Sequence, residues 1–158
     1  MTESPQTSPS LKKAWLDAAR PRTLPLALSC IALGSFLAAA NNAYSWQITM
    51  LCLVTAVFLQ ILSNLANDYG DSIHGADHVQ REGPQRAVQS GQITPETMRR
   101  AMFLFAGLSA VSGLALIWRS FGAEGLIGLL IFVLLGGAAI WAAVNYTAGS
   151  KPYGYAGW

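Results

Sequence analysis

Three stretches of this 158-residue chain carry no charged side chain: the 45 residues between Arg22 and Asp68, the 18 between Arg100 and Arg119, and the 26 between Glu124 and Lys151. A helix needs about 20 mostly apolar residues to cross a hydrocarbon core of about 30 Å. The first gap therefore holds two crossings and each of the others one. The composition, 53% hydrophobic and 11% charged, is too apolar for a water-soluble domain of this size. The expected fold is all-α: a polytopic membrane protein with about four transmembrane helices.

The spacing predicts those helices at about residues 24–41, 48–72, 97–118 and 125–148. Residues 1–10 are polar and contain two prolines, which predicts a disordered tail. Residues 11–158 then form a single membrane domain. At its start, Leu11, Ala14, Trp15, Ala18 and Ala19 recur at helical spacing, as in a short helix lying in the membrane interface before Pro21 turns the chain inward. Lys and Arg collect before the first crossing (Lys12, Lys13, Arg20, Arg22) and between the second and third (Arg81, Arg86, Arg99, Arg100). The positive-inside rule places both termini and the 73–100 loop in the cytoplasm, for a multi-pass protein of the inner membrane. Trp46 and Trp118 then belong to an outer aromatic belt. A signal peptide ending near Ala38–Ala40 is the rival reading of the first crossing; the long polar leader and the prompt second crossing favour a retained anchor. Cys30 and Cys52 lie in apolar stretches and read as small hydrophobes. No basic patch is interleaved with aromatic residues, so nucleic acid is not an expected partner.

The chemistry concentrates in Gln60 to Asp71, QILSNLANDYGD. On a helical wheel Gln60, Asn64, Asn67, Asp68 and Asp71 share one arc of roughly 100°, opposite Leu62, Leu65, Ala66 and Tyr69. Hydrocarbon rejects such a face, so it must look into the bundle. Asp68 and Asp71 stand on neighbouring turns and repel unless protonated or bridged by a cation. The ligands at hand are oxygens, from Asp68, Asp71, the amides of Asn64 and Asn67, and Asp77 if Gly70 or Gly75 lets the backbone turn. Hard Mg²⁺ or Mn²⁺ suits them better than zinc, and takes its remaining ligands from water and phosphate. A simple helix end in the headgroup layer would explain the two aspartates but not the three amides aligned with them two turns deeper. Arg81 and Arg86 flank a Gly83–Pro84 turn that can bring guanidinium groups, good partners for phosphate, over the carboxylates. His74 and His78 raise a zinc site, against which stands the lack of a third nitrogen or sulfur ligand nearby. Lys151, among tyrosines on the same side, suits a phosphate leaving group or plain snorkelling equally well.

NLANDYGD at 64–71 with Asp77 and the GPQR of 83–86 resembles the first aspartate-rich motif of the UbiA-type intramembrane prenyltransferases. Within that family, RPRTLP at 20–25 and YTAGSKPYGY at 146–155 are similar to the branch that prenylates 1,4-dihydroxy-2-naphthoate in menaquinone biosynthesis. The resemblance implies a helical bundle around a cavity open to the membrane, with Mg²⁺ held by Asp68, Asp71 and Asp77. Asn64, Asn67, Arg81, Arg86, Arg22 and Lys151 would cradle a polyprenyl diphosphate, and Tyr146 and Tyr153 would meet the aromatic quinone precursor. It also implies transfer of the prenyl group with loss of the acceptor's carboxyl group, with no side chain acting as acid or base. The family's members are about twice this length and carry a second aspartate-rich motif, whereas here the carboxylates after Asp77 are Glu82, Glu96 and Glu124. The expectation is half of a UbiA-type bundle, with little or no transferase activity by itself. Hydroxybenzoate prenylation, a transporter half-bundle and a non-catalytic membrane remnant are the competing readings.

Overall fold

The computed structural model describes residues 10–74, 86–122 and 125–156. Within them the chain is helical: α1 (Leu11–Ala19), α2 (Leu24–Ala40), α3 (Trp46–Ile73), α4 (Pro95–Phe121) and α5 (Leu126–Asn145), with short 3₁₀ turns at Pro21–Thr23 and Tyr153–Ala156. Four spans are long and apolar enough to cross a membrane, the first running from Leu11 through α2. The chain is therefore a multi-pass membrane protein. The boundaries follow local chemistry. Ser45 caps α3 by accepting the Ile48 N–H, and Thr94 caps α4 by accepting from Thr97, with Pro95 at the first helical position. α4 thus starts two residues before the sequence-based boundary.

α3 is the hub, touching α1, α2, α4 and α5. At 28 residues it is about 42 Å long, well beyond a hydrocarbon thickness of about 30 Å. Counted from Trp46, about 20 residues use up that thickness, which leaves Asn67 to Ile73 at the opposite membrane edge. The apolar core lies at this end, where Leu62, Leu65 and Ala66 meet Ala14 and Ala18 of α1 and Met98 and Met102 of α4. The far end is tied more lightly, by Ser35 Oγ to Thr49 Oγ1 (3.1 Å) and Arg119 Nη2 to Gln47 Oε1 (2.9 Å). Trp46 and Trp118 are exposed there, as an outer aromatic belt requires. α2 and α5 bury no residue and present leucines and phenylalanines outward. On α1, Ala14 and Ala18 face the core while Leu11 and Leu16 stay exposed.

From the sequence, Gly107, Ser109, Ser112, Gly113, Gly136 and Gly137 read as close-packing positions between helices, and the structure corrects part of that reading. Ser109 and Ser112 are buried, but a side chain at Gly107, Gly136 or Gly137 would meet nothing within 4 Å. The close approach is at Gly70. A Cβ there would lie 2.3 Å from the Thr147 carbonyl carbon and oxygen, so the chain leaving α5 crosses α3 in direct backbone contact.

The joint between α1 and α2 is the other special crossing. Arg20 takes a left-handed conformation (φ 50°), which breaks the helix and leaves carbonyls without helical donors. Asn64 Nδ2 donates to the Ala19 carbonyl (2.8 Å) and to Thr23 Oγ1 (3.2 Å), and Gln60 Nε2 also donates to Thr23 Oγ1 (3.3 Å).

Two predictions follow from these crossings. Replacing Asn64 by Leu should destabilise the protein by about 1–3 kcal/mol, the cost of buried polar groups left unanswered, and raise amide exchange at residues 20–24; unchanged exchange there would show that the joint does not depend on Asn64. Replacing Gly70 by Ala should cost about 1–3 kcal/mol by overpacking and loosen residues 146–156 in hydrogen exchange, whereas the same change at Gly136 should be silent.

Candidate functional site

The last turns of α3 bring four segments of chain together on one face. Asn67 Oδ1 accepts from Thr147 Oγ1 (2.8 Å), which also points at the Ala66 carbonyl (3.0 Å). This bond and the Gly70 crossing seat the segment after α5 across the helix end. Tyr155, in the 3₁₀ turn that follows, then reaches back to donate its hydroxyl to Asp71 Oδ1. Its ring packs edge-on against His74, whose Nε2 pairs with the Gly149 carbonyl at 3.1 Å.

From the other side comes the turn before α4. Arg86 forms an ion pair with Asp71 Oδ2 and donates through Nη1 to the Asn67 carbonyl (2.5 Å). Both side chains of the pair are only 11% exposed. Asp68, one turn from Asp71, accepts the backbone N–H groups of Ala87 (to Oδ2, 3.2 Å) and Val88 (to Oδ1, 3.3 Å). It is 2% exposed, and Arg20 at the α1–α2 joint adds a positive charge that acts on it. The turn closes on itself through Ser90 N–H to the Arg86 carbonyl and Ile93 N–H to the Ala87 carbonyl. A buried charge pair persists only when its members are paired and hydrogen-bonded; here Asp71 also accepts from the Tyr155 hydroxyl and Arg86 also donates to the Asn67 carbonyl.

The residues singled out from sequence therefore separate. Asn67, Asp68, Asp71 and Arg86 converge. Asn64 faces the α1–α2 joint, spending its amide donors on Ala19 and Thr23. Arg22 and Lys151 are exposed, and neither makes an ion pair with the carboxylates among the described residues. Tyr153 stacks on Trp141 (centroids 6.0 Å, 10° between planes), meets Tyr146 edge-on and donates its hydroxyl to the Ala142 carbonyl. Tyr146 keeps an exposed ring beside it. Asp77, Arg81 and His78 lie outside the described residues. Gly70, read from sequence as a bend, serves as a crossing, and two participants escaped the sequence reading: Thr147 and the hydroxyl of Tyr155. The one sequence signal for them was the density of tyrosines and glycines in YTAGSKPYGY.

A hard cation fits the donor set in kind, since Asp71 and Asn67 offer oxygens only. Among the described residues no three His, Cys, Asp or Glu side chains gather, so the wall supplies few protein ligands. Mg²⁺ bound through one or two carboxylates and substrate phosphates needs no more.

Comparison with known proteins adds an independent finding. The model of the UbiA prenyltransferase family matches residues 27–158. The chain is 45% identical over 148 residues to a 1,4-dihydroxy-2-naphthoate octaprenyltransferase of Escherichia coli (strain K12), covering 94% of this chain and 47% of that protein. It is 44% identical to a protein of the same name from Haemophilus influenzae, covering 92% and 47%, and 41% identical to one from Mycobacterium tuberculosis, covering 90% and 46%. The chain thus spans about half the length of the curated relatives it matches. No solved structure matches it. With the family model covering everything from α2 onward, the chain belongs to the UbiA prenyltransferase family.

Proposed function

We propose that this chain supplies one wall of the active site of a divalent-metal-dependent enzyme that transfers a polyprenyl group from its diphosphate to 1,4-dihydroxy-2-naphthoate. The observation that carries the reading is the convergence of Asn67, Asp71 and Arg86 at the membrane edge of α3. The reading takes its acceptor and its long prenyl donor from the names of the relatives. A diphosphate at this depth keeps its charged head at the headgroup boundary while its isoprenoid tail lies in hydrocarbon.

When bound, Mg²⁺ or Mn²⁺ neutralises charge on the diphosphate. Asp71 and Asn67 would hold it, with Asp77 a further candidate. Arg86 brings a guanidinium suited to the fork of phosphate oxygens, and its attachment to α3 fixes it before charge develops on the departing diphosphate. The buried apolar surroundings, Leu65, Val88 and Met98 among them, keep water from the allylic carbon as its C–O bond breaks. The new C–C bond forms at the ring carbon that bears the carboxyl group, whose loss as CO₂ returns the electron pair to the ring and yields the hydroquinone, demethylmenaquinol, as diphosphate departs. Tyr146, whose ring is exposed and packs against Tyr153, would meet the aromatic acceptor. Arg22 and Lys151 remain candidates for the outer diphosphate oxygens. The site end carries Lys12, Lys13, Arg20, Arg22, Arg99, Arg100 and Lys151 against Arg119 at the other end, which supports a cytoplasmic site in the inner membrane.

The test is a chimera in which residues 1–158 replace the matching half of the Escherichia coli relative. It should make demethylmenaquinol, detected as demethylmenaquinone after oxidation by air, from octaprenyl diphosphate and dihydroxynaphthoate, lose activity to EDTA and regain it with Mg²⁺ or Mn²⁺. Asp71→Asn should lower turnover on the order of 100-fold. Transfer that persists without divalent metal, or that uses 4-hydroxybenzoate in place of the naphthoate, would overturn the reading. The 158-residue chain alone is expected to show little or no turnover in the same assay.

A further inference from the structure

Two carboxylates one turn apart on α3 hold the same short turn in different ways. Asp71 takes the side chain of Arg86, and Asp68 takes the backbone of the next two residues. The acceptor oxygens of Asp68 are divided between the Ala87 and Val88 N–H groups, and those two residues are themselves buried against Leu62, Leu65 and Met98. Buried N–H groups require an acceptor, and a carboxylate accepts more strongly than a neutral oxygen. Arg86 has a long side chain whose rotamer freedom must be lost for it to sit over Asp71. Fixing the backbone beside it is what makes that position repeatable.

We propose that Asp68 is a positioning residue: it pins the 86–90 turn to α3 through the Ala87 and Val88 amides and so holds the Arg86 guanidinium at Asp71, instead of ligating metal itself. The division of labour within the NDYGD segment is then sharp. Asp71 and Asn67 meet side chains, those of Arg86, Tyr155 and Thr147, whereas Asp68 meets backbone. This rests on the reading of the Asp71 wall as a metal and diphosphate site, and the experiment separates the two.

The probes are Mn²⁺ alone, followed by its electron paramagnetic resonance, and limited trypsin digestion with mass spectrometry of the cut after Arg86, both on the whole chain in detergent micelles. Asp68→Asn keeps the shape but turns an NH₂ toward one of the two N–H donors. It should raise the rate of cleavage at the Arg86–Ala87 bond at least tenfold while leaving Mn²⁺ affinity within twofold. Asp71→Asn should lower Mn²⁺ affinity at least tenfold. Ala87→Pro removes one donor from the turn side without touching α3, at a turn position that accepts proline. Trypsin does not cut before proline, so this arm is read by hydrogen exchange: Ala87→Pro should speed exchange of the Val88 amide as much as Asp68→Asn does, and the double variant should exchange no faster than either single one, because both break one link. The proposal is overturned if Asp68→Asn weakens Mn²⁺ binding as much as Asp71→Asn, if cleavage after Arg86 does not change, or if the two substitutions add in full. Should Mn²⁺ binding be indifferent to Asp71→Asn while the cleavage results hold, the metal reading fails and the clamp stands.

Discussion

A polar side chain on a membrane helix survives only where something answers its hydrogen bonds, and α3 carries five on one face. All five are answered by groups on three non-helical segments: the α1–α2 joint, the turn before α4 and the chain after α5. Gln60 and Asn64 hold the joint between α1 and α2, Asn67 holds the segment after α5 through Thr147, Asp68 holds the turn before α4, and Asp71 takes Arg86 and Tyr155. Irregular backbone at membrane depth carries unsatisfied groups that lipid cannot serve. The stripe serves them, and in doing so collects the elements that surround the site.

This makes the site and the fold one arrangement. The Asp71 and Arg86 pair is nearly buried, yet it lies where α3 leaves the hydrocarbon, so its charges are close to water without being in it. That is the depth a diphosphate with an isoprenoid tail would take. The Trp46 end of the bundle shows the opposite economy, with a pair of hydroxyls and an Arg119 to Gln47 bond joining helices whose apolar faces look outward.

Much of this was legible in the residues. Charge-free gaps of known length predicted the crossings, because hydrocarbon tolerates few charges whatever the tertiary structure. The stripe from Gln60 to Asp71 was legible because helical period alone places its members on one face. What period does not reveal is the partner of each member. Asn64 and Asp71 look equivalent on a wheel, but one meets a broken helix joint and the other an arginine 15 positions later. Pro21 announced the break at that joint, but the left-handed residue is an arginine, not a glycine, so its conformation had no sequence signal. Gly70 was noticed as a possible bend in the backbone, whereas its use is to let Thr147 approach. Gly136 and Gly137 were expected in a helix contact and face open space among the described residues.

The central claim is that the site end of α3, with the segments it gathers, is where a metal and diphosphate bind. Paramagnetic broadening of backbone amide resonances tests it most directly, using the ¹⁵N-labelled chain in micelles with Mn²⁺ and inorganic pyrophosphate. Broadening confined to residues 67–72, 86–88, 147 and 155, with residues 46–50 and 118–122 unaffected, is the predicted result. Broadening spread evenly along the helices, or centred on the Trp46 and Arg119 end, would contradict it.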